Sequence, residues 1–214
     1  MSEGGGGGGA LPLPVVDGRR LEKRYRDALD PGGFLCDRLG RARQLPRYFY
    51  EIPSWTAALE LEVTPHFKLW EFVHTDVREA EPLRMFPRYV PCAVTLLAVC
   101  LERFRERADT YVHIGANGGY RSPRHRLTGN ASPHCWAAAV DIYRVGDTYL
   151  DDREAIEYYA ALAREALPGV WTQPYGQGPD GTDDHLHLDI GYVVNIPRDA
   201  PGDAYIAKLD VDPI

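Results

Sequence analysis

Three segments of this 214-residue chain carry residues that could do chemistry. The first is Asp184-His185-Leu186-His187-Leu188-Asp189-Ile190. Read as a strand, its side chains alternate between two faces. His185, His187 and Asp189 share one face, and Leu186, Leu188 and Ile190 share the other. The leucine row packs into a core while the polar row faces a cleft. Two imidazoles two residues apart on one face is a frequent metal arrangement, though it also occurs by chance.

The second segment, residues 132–141 (SPHCWAAAVD), puts His134 at the end of a Gly/Pro-rich loop and Asp141 in a short apolar strand. A carboxylate inside AAAVDIY is costly to bury unless it is paired or coordinated. The bland reading is a carboxylate satisfied by backbone N–H groups or an arginine; the sharper one is a metal ligand. Together the two segments supply His134, Asp141 and a histidine of the 184–190 strand, a two-histidine, one-carboxylate set. A catalytic zinc takes three such protein ligands at roughly 2.0–2.2 Å and keeps the fourth position for water. With one carboxylate the site stays net positive, which lowers the pKa of bound water to about 7. Mononuclear iron oxygenases use the same ligand types.

The third segment is Gly119-Tyr120-Arg121-Ser122-Pro123. Taken with S-x-H-x-x-x-x-A-x-D (132–141), D-x-x-H (184–187) and the upstream HFKLWEF (66–72), it resembles the zinc D-Ala-D-Ala carboxypeptidase family. That family includes D-alanyl-D-alanine dipeptidases and L-alanyl-D-glutamate endolysins, and shares a fold with the hedgehog signalling domain. The likeness runs over residues 66–191, with the motifs in the family's order. It implies zinc on His134, Asp141 and His187, and a general base at Asp184, three residues before the last zinc histidine. It implies that Arg121 steadies the substrate carbonyl or oxyanion, a task suited to a permanently charged, multi-donor guanidinium. Ser132 would contact substrate near the metal, His185 would be a hydrogen-bonding partner in the cleft, and Tyr120 would line the groove. Two departures stand out. Ala137 occupies a position where the family usually has glycine, and aspartate at 184 is one methylene shorter than the usual glutamate. On a regular strand Asp184 would also point away from His187, so it can serve only from the preceding turn. The implied substrate is a small peptide of peptidoglycan type containing D-amino acids, cleaved by a metallopeptidase. An intracellular amidase acting on another substrate, and a metal-holding domain without activity, are the alternatives.

The remaining histidines have blander readings. His113 is a satisfied strand histidine, His66 and His74 are structural, and His125 sits in an arginine-rich loop where it could touch substrate. Trp136, Trp171 and Tyr175 are core or rim residues near a groove.

The elements that must position these residues follow from pattern. The alternation of helices and strands lacks βαβ regularity, so the expected fold is α+β, a small, mostly antiparallel sheet flanked by helices. Residues 89–107 form a helix with Pro91 in its first turn and Val94, Leu97, Leu101 and Phe104 at helical spacing. Residues 152–167 form a second helix, capped by Asp151 or Asp152 and stopped by Pro168-Gly169. Strands are expected at 110–114, 138–142, 170–172 and 186–190. Upstream, Asp17 caps a helix through about Leu29, and residues 48–52 read as an aromatic strand or turn. The expected organisation is a Gly-rich tail over 1–16, an extension over 17–65 and the zinc peptidase-like domain over 66–214.

Composition removes other classes. The chain is 44% hydrophobic and 26% charged, with formal net charge −7 and no Lys/Arg-rich run. Nucleic-acid binding needs a basic stripe, so it is not expected. No stretch approaches the roughly 20 apolar residues of a membrane span. The four cysteines form no CxxC pair, which removes zinc ribbons and thioredoxin-like motifs. The N-terminus MSEGGGGGG has neither a basic nor an apolar signal-peptide region, so the expected location is cytoplasmic, or outside by release without a signal.

Overall fold

A computed structural model describes residues 11–177, 181–198 and 200–202. The elements run β1 (Val15–Asp17), α1 (Lys23–Leu29), β2 (Phe34–Cys36), β3 (Ala42–Gln44), β4 (Tyr48–Glu51), α2 (Trp55–Glu60), β5 (Glu62–Thr64), β6 (Phe67–Lys68) and α3 (Leu69–Val73). They continue as β7 (Tyr89–Pro91), α4 (Val94–Ala108), β8 (Val112–Ile114), β9 (Ala139–Val145), β10 (Thr148–Tyr149), α5 (Arg153–Ala166), β11 (Trp171–Thr172) and β12 (Leu186–Asp189). All named strand pairs are antiparallel, so the α+β class holds.

The larger sheet is centred on β9. Along its first half β9 pairs with β12, placing His187 directly opposite Asp141 and Leu188 opposite Val140. Its far end pairs with β10, and its other edge pairs with β8 across a register irregularity at His113/Ile114. β11 closes the side beyond β12. One face of this sheet is apolar and fully buried through Val140, Ile142, Leu186 and Leu188. Against the same core pack α4 and α5. The first buries Val94, Leu97, Ala98, Leu101 and Phe104, an i, i+3, i+4, i+7 stripe. The second is capped by Asp152, whose side chain accepts from Ala155 N at 2.8 Å, and it stops before Pro168-Gly169.

A second sheet, in the order β1-β4-β7, is where the expectations need correction. Residues 89–91 do not begin a helix. All three are buried and pair with β4, and α4 starts only at Val94. Pro91 is tolerated because β7 is an edge strand, where a missing N–H costs no ladder bond. Nor does the ordered fold begin at Asp17: Leu11 is buried and Val15–Asp17 pairs with Tyr48–Tyr50. The Gly-rich tail expected over 1–16 therefore ends earlier, and residues 1–10 lie outside those described. Asp17 caps only a single 3-10 turn over Gly18–Arg20, with α1 following separately.

Asp17 has a larger task. Its buried carboxylate accepts from Arg47 Nε at 3.0 Å and from a terminal Arg47 nitrogen at 2.5 Å, bridging 30 residues of chain. Among the described residues no helix is long and apolar enough to cross a membrane. Removing one partner of a buried pair strands the other charge, so Asp17→Ala is expected to lower unfolding free energy by about 3 kcal/mol. Urea denaturation checks this; a loss under about 0.5 kcal/mol would mean the N-terminal strand is not part of the cooperative fold.

Candidate metal centre

Two strands, a 3-10 turn and one loop build the site on the outward face of the larger sheet. His134 lies in the 3-10 turn Pro133–Trp136, with proline in its first turn. That turn ends at Ala137, whose φ of 52° and ψ of 42° are left-handed. This backbone geometry favours glycine, the residue that the resembled motif carries there. Val140 and Ile142 face the core, so Asp141 between them faces outward toward His187 on β12.

The donor atoms converge. His134 Nε2 is 3.3 Å from Asp141 Oδ1 and 3.3 Å from His187 Nδ1, and His187 Nδ1 is 2.8 Å from Asp141 Oδ1. Tetrahedral ligands about 2.1 Å from a zinc ion lie about 3.4 Å apart. The observed triangle therefore has nearly the edges that a metal needs, slightly contracted along the His187–Asp141 hydrogen bond.

Each ligand is also held from behind. His134 Nδ1 donates to Gly119 O at 2.7 Å, which leaves Nε2 with its lone pair toward the centre. On the other histidine, Nε2 meets Asp189 Oδ2 at 3.3 Å and Nδ1 points inward. Asp141 Oδ2 pairs with the Arg121 guanidinium, and Oδ1 points into the triangle. This outer ring is the kind that fixes tautomer and orientation in metal sites. Asp189 was recognisable in the sequence as a carboxylate on the same strand face. The Gly119 carbonyl was not, because a backbone acceptor leaves no mark in residue type.

The loop over residues 115–121 does much of the positioning. Gly115 N donates to Asp141 O at 2.9 Å, and Asp141 N donates to Gly118 O at 2.7 Å. A Cβ on Gly119 would stand 2.2 Å from Phe72 O, so only glycine lets the loop lie against α3. Arg121 Nε donates to Asn117 O at 2.6 Å. Asn117 is itself buried, and its Oδ1 accepts from Thr75 Oγ1, Asp76 N and His125 Nε2.

Charge is distributed unevenly over the ligands. Burial pushes His134 down to about 4, so it is neutral near pH 7. Burial also opposes charge on His187, but its hydrogen bonds to Asp141 and Asp189 outweigh this and lift it to about 9. Burial works against an Asp141 anion too, yet the two histidines and Arg121 hold its carboxyl well below the usual range. The metal-free centre is thus neutral His134, ionised Asp141 and protonated His187, with a proton on the edge where a metal would bind.

The other expected site residues divide. Asp184 lies in the turn before β12, as its role requires; it is 79% exposed and 2.5 Å from His185 Nδ1. His185 Nε2 in turn lies 3.5 Å from Asp141 Oδ1, at the rim of the centre. Ser132 caps the 3-10 turn by position, but its side chain makes no capping bond and stays half-buried beside the site. Arg121 does not face an open cleft: it is engaged by Asp141 and Asn117. Tyr120 is not a groove residue; it is 4% exposed and belongs to the core. His125 likewise is buried in the Asn117 network rather than in reach of a ligand. Trp171 stands edge-on to His187 at 5.5 Å and is half exposed, forming one wall. Cys135 next to His134 is buried, and burial pushes its thiol up to about 12.

No protein-family model matches the chain, and neither curated proteins nor solved structures give a match.

Because a metal must displace the His187 proton, apparent affinity is expected to rise with pH. Between pH 6.5 and 8.5 the gain should be about tenfold per unit, with close to one proton released per metal near neutrality. Chelator competition with Zn2+ and calorimetry in buffers of different ionisation heat measure both quantities. A flat profile would place the proton elsewhere. The metal-free protein follows the same sign. A folded value near 9 against 6.5 stabilises fully below 6.5 and is lost as pH rises through 9.

Proposed function

We propose that this chain is a zinc-dependent hydrolase of an amide or peptide bond, acting on a small peptide of peptidoglycan type with D-amino acids. The observation that carries the metal reading is the convergence of His134 Nε2, Asp141 Oδ1 and His187 Nδ1, each held from behind by a separate group. The donor set, two imidazoles and one carboxylate, suits zinc and leaves a coordination position open. The hydrolase reading and its substrate rest on the resemblance of the GYRSP, S-x-H and D-x-x-H segments to the zinc D-Ala-D-Ala carboxypeptidase family, with its hedgehog-like fold.

Bound zinc would polarise the amide carbonyl and acidify the attacking water. The protein's own residues supply the rest. Asp184, with His185 Nδ1 at 2.5 Å, stands at the rim with its carboxylate open to solvent. It accepts the proton of the attacking water and returns it to the leaving amine. His185 orients that carboxylate through Nδ1. Arg121 neutralises the outer oxygen of Asp141 and keeps the inner one directed at the metal. Ser132 offers a hydroxyl to the substrate backbone, and Trp171 walls the cleft on the β11 side.

The engagement of Arg121 favours one second reading. An arginine paired with Asp141 is not free to bind an oxyanion, which suits a domain that holds metal without catalysis. The two readings separate in one experiment. Zinc-loaded protein is incubated with D-Ala-D-Ala, L-Ala-D-Glu and all-L peptides, and products are identified by mass spectrometry. Hydrolysis of a D-amino-acid peptide is expected, with His187→Ala inactive and Asp184→Asn lowering kcat by about 10²-fold or more while zinc stays bound. If every peptide survives, the hydrolase assignment fails whatever the metal content.

A further inference from the structure

The outward face of the larger sheet continues past Asp141 to a cation that has no anion. Val145 and Val112 pair on the core side, so Arg144 and its cross-strand neighbours His113 and Tyr149 face outward, on the same side as Asp141. The register irregularity at this point brings Tyr143 to that side as well. One terminal nitrogen of Arg144 donates to His113 Nε2 at 3.1 Å, which requires a neutral imidazole. Its guanidinium carbon stands 6.0 Å from the Tyr143 ring centre and 5.6 Å from that of Tyr149. Its Nε is buried and has no hydrogen-bond partner. Among the described residues no carboxylate pairs with it, although the chain has net charge −7 and other partly buried arginines, such as Arg43, Arg47 and Arg121, each pair with one.

A guanidinium beside two exposed tyrosines that pack on each other, with no carboxylate partner among the described residues, is placed to receive an anion. The tyrosine pair shields one side of the cation, which strengthens a charge-assisted bond made there. A cavity of about 400 Å³ lies beside it, lined by Trp70, His74, Ile114, Gly115, Ala116 and Tyr143. Gly115 of this lining bonds the Asp141 backbone, and Tyr143 of the lining is the chain neighbour of Arg144. Arg144 lies three residue steps beyond Asp141 on β9, which is about 10 Å along an extended backbone. A substrate lying along β9 would therefore meet Arg144 two to three residues from its scissile amide.

We infer that Arg144, with Tyr143 and Tyr149, forms a subsite for a carboxylate carried by the substrate two to three residues from the bond at the metal. That distance suits an acidic side chain, or the terminus of a longer leaving peptide, and is too long for the terminal carboxylate of a single released residue. The subsite deepens the hydrolase reading and rests on it for the identity of its ligand as substrate.

The test uses zinc-loaded full-length protein and N-acetylated, C-terminally amidated alanine hexapeptides, in all-L and alternating L/D form. Each carries one Glu at each position in turn, and a matched set carries Gln. Binding is followed by calorimetry and cleavage by mass spectrometry. At least one Glu peptide should bind about tenfold or more tightly than its Gln partner, the size of one charge-assisted contact. Arg144→Gln should erase that preference with zinc affinity unchanged, and Arg144→Lys should retain part of it. Equal binding of Glu and Gln peptides, no binding of either, or a preference that survives Arg144→Gln overturns the subsite. A Glu preference without any cleavage sinks the hydrolase reading and leaves the subsite standing. Cleavage without a Glu preference does the reverse.

Discussion

An ionised carboxylate placed between two fully buried core residues, Val140 and Ile142, constrains everything around it. Burying such a charge is costly unless every oxygen is matched. Asp141 meets the demand with Arg121 on one oxygen and the two histidines on the other. Removing any of these partners leaves the carboxylate undercompensated, so the site and the fold around it depend on one another. The central strand β9 can carry Asp141 only because β12 brings His187 into register opposite it.

The same demand explains the loop over residues 115–121. Its backbone bonds both the N–H and the C=O of Asp141, its Gly119 carbonyl sets the tautomer of His134, and its Arg121 supplies the counter-charge. Two glycines allow the approach: a Cβ on Gly118 would stand 2.6 Å from Asp141 O, and one on Gly119 would strike the α3 backbone. A loop so dense in backbone contacts to the ligands acts as a rigid part of the centre. His187 Nδ1 meets the inner oxygen of Asp141 at 2.8 Å, closing the third edge of the triangle.

Beyond the centre, the outward face of the sheet has a gradient of character. Asp189 and Trp171 border the ligands on the β12 side, while Tyr143, Arg144 and Tyr149 extend the face past β9. The negative centre is locally compensated, whereas the positive charge of Arg144 is not.

Much of this was already written in the sequence. Period-two alternation set His187 and Asp189 opposite Leu186 and Leu188, and helical spacing marked the buried stripe of α4. An aspartate within AAAVDIY declared a charge that needed partners. These signals survive because they are local: one strand or one helix with one apolar face reads the same in any packing. Residues 89–91 went the other way, since the edge of β4 offered hydrogen bonds that a helical first turn could not, and no local signal records an edge strand's need. The same holds for Val15–Asp17, which order only because Tyr48–Tyr50 and Arg47 lie beside them. The functional surface divides likewise. Residue types, spacing and the resemblance of the ordered motifs nominated His134, Asp141 and His187. Only the tertiary structure decided that Arg121 serves Asp141, that Tyr120 is core, that the Gly119 carbonyl aims His134, and that Arg144 has no carboxylate partner among the described residues. Those outcomes depend on which distant groups compete for the same charge or donor, and that competition exists only once the chain is packed.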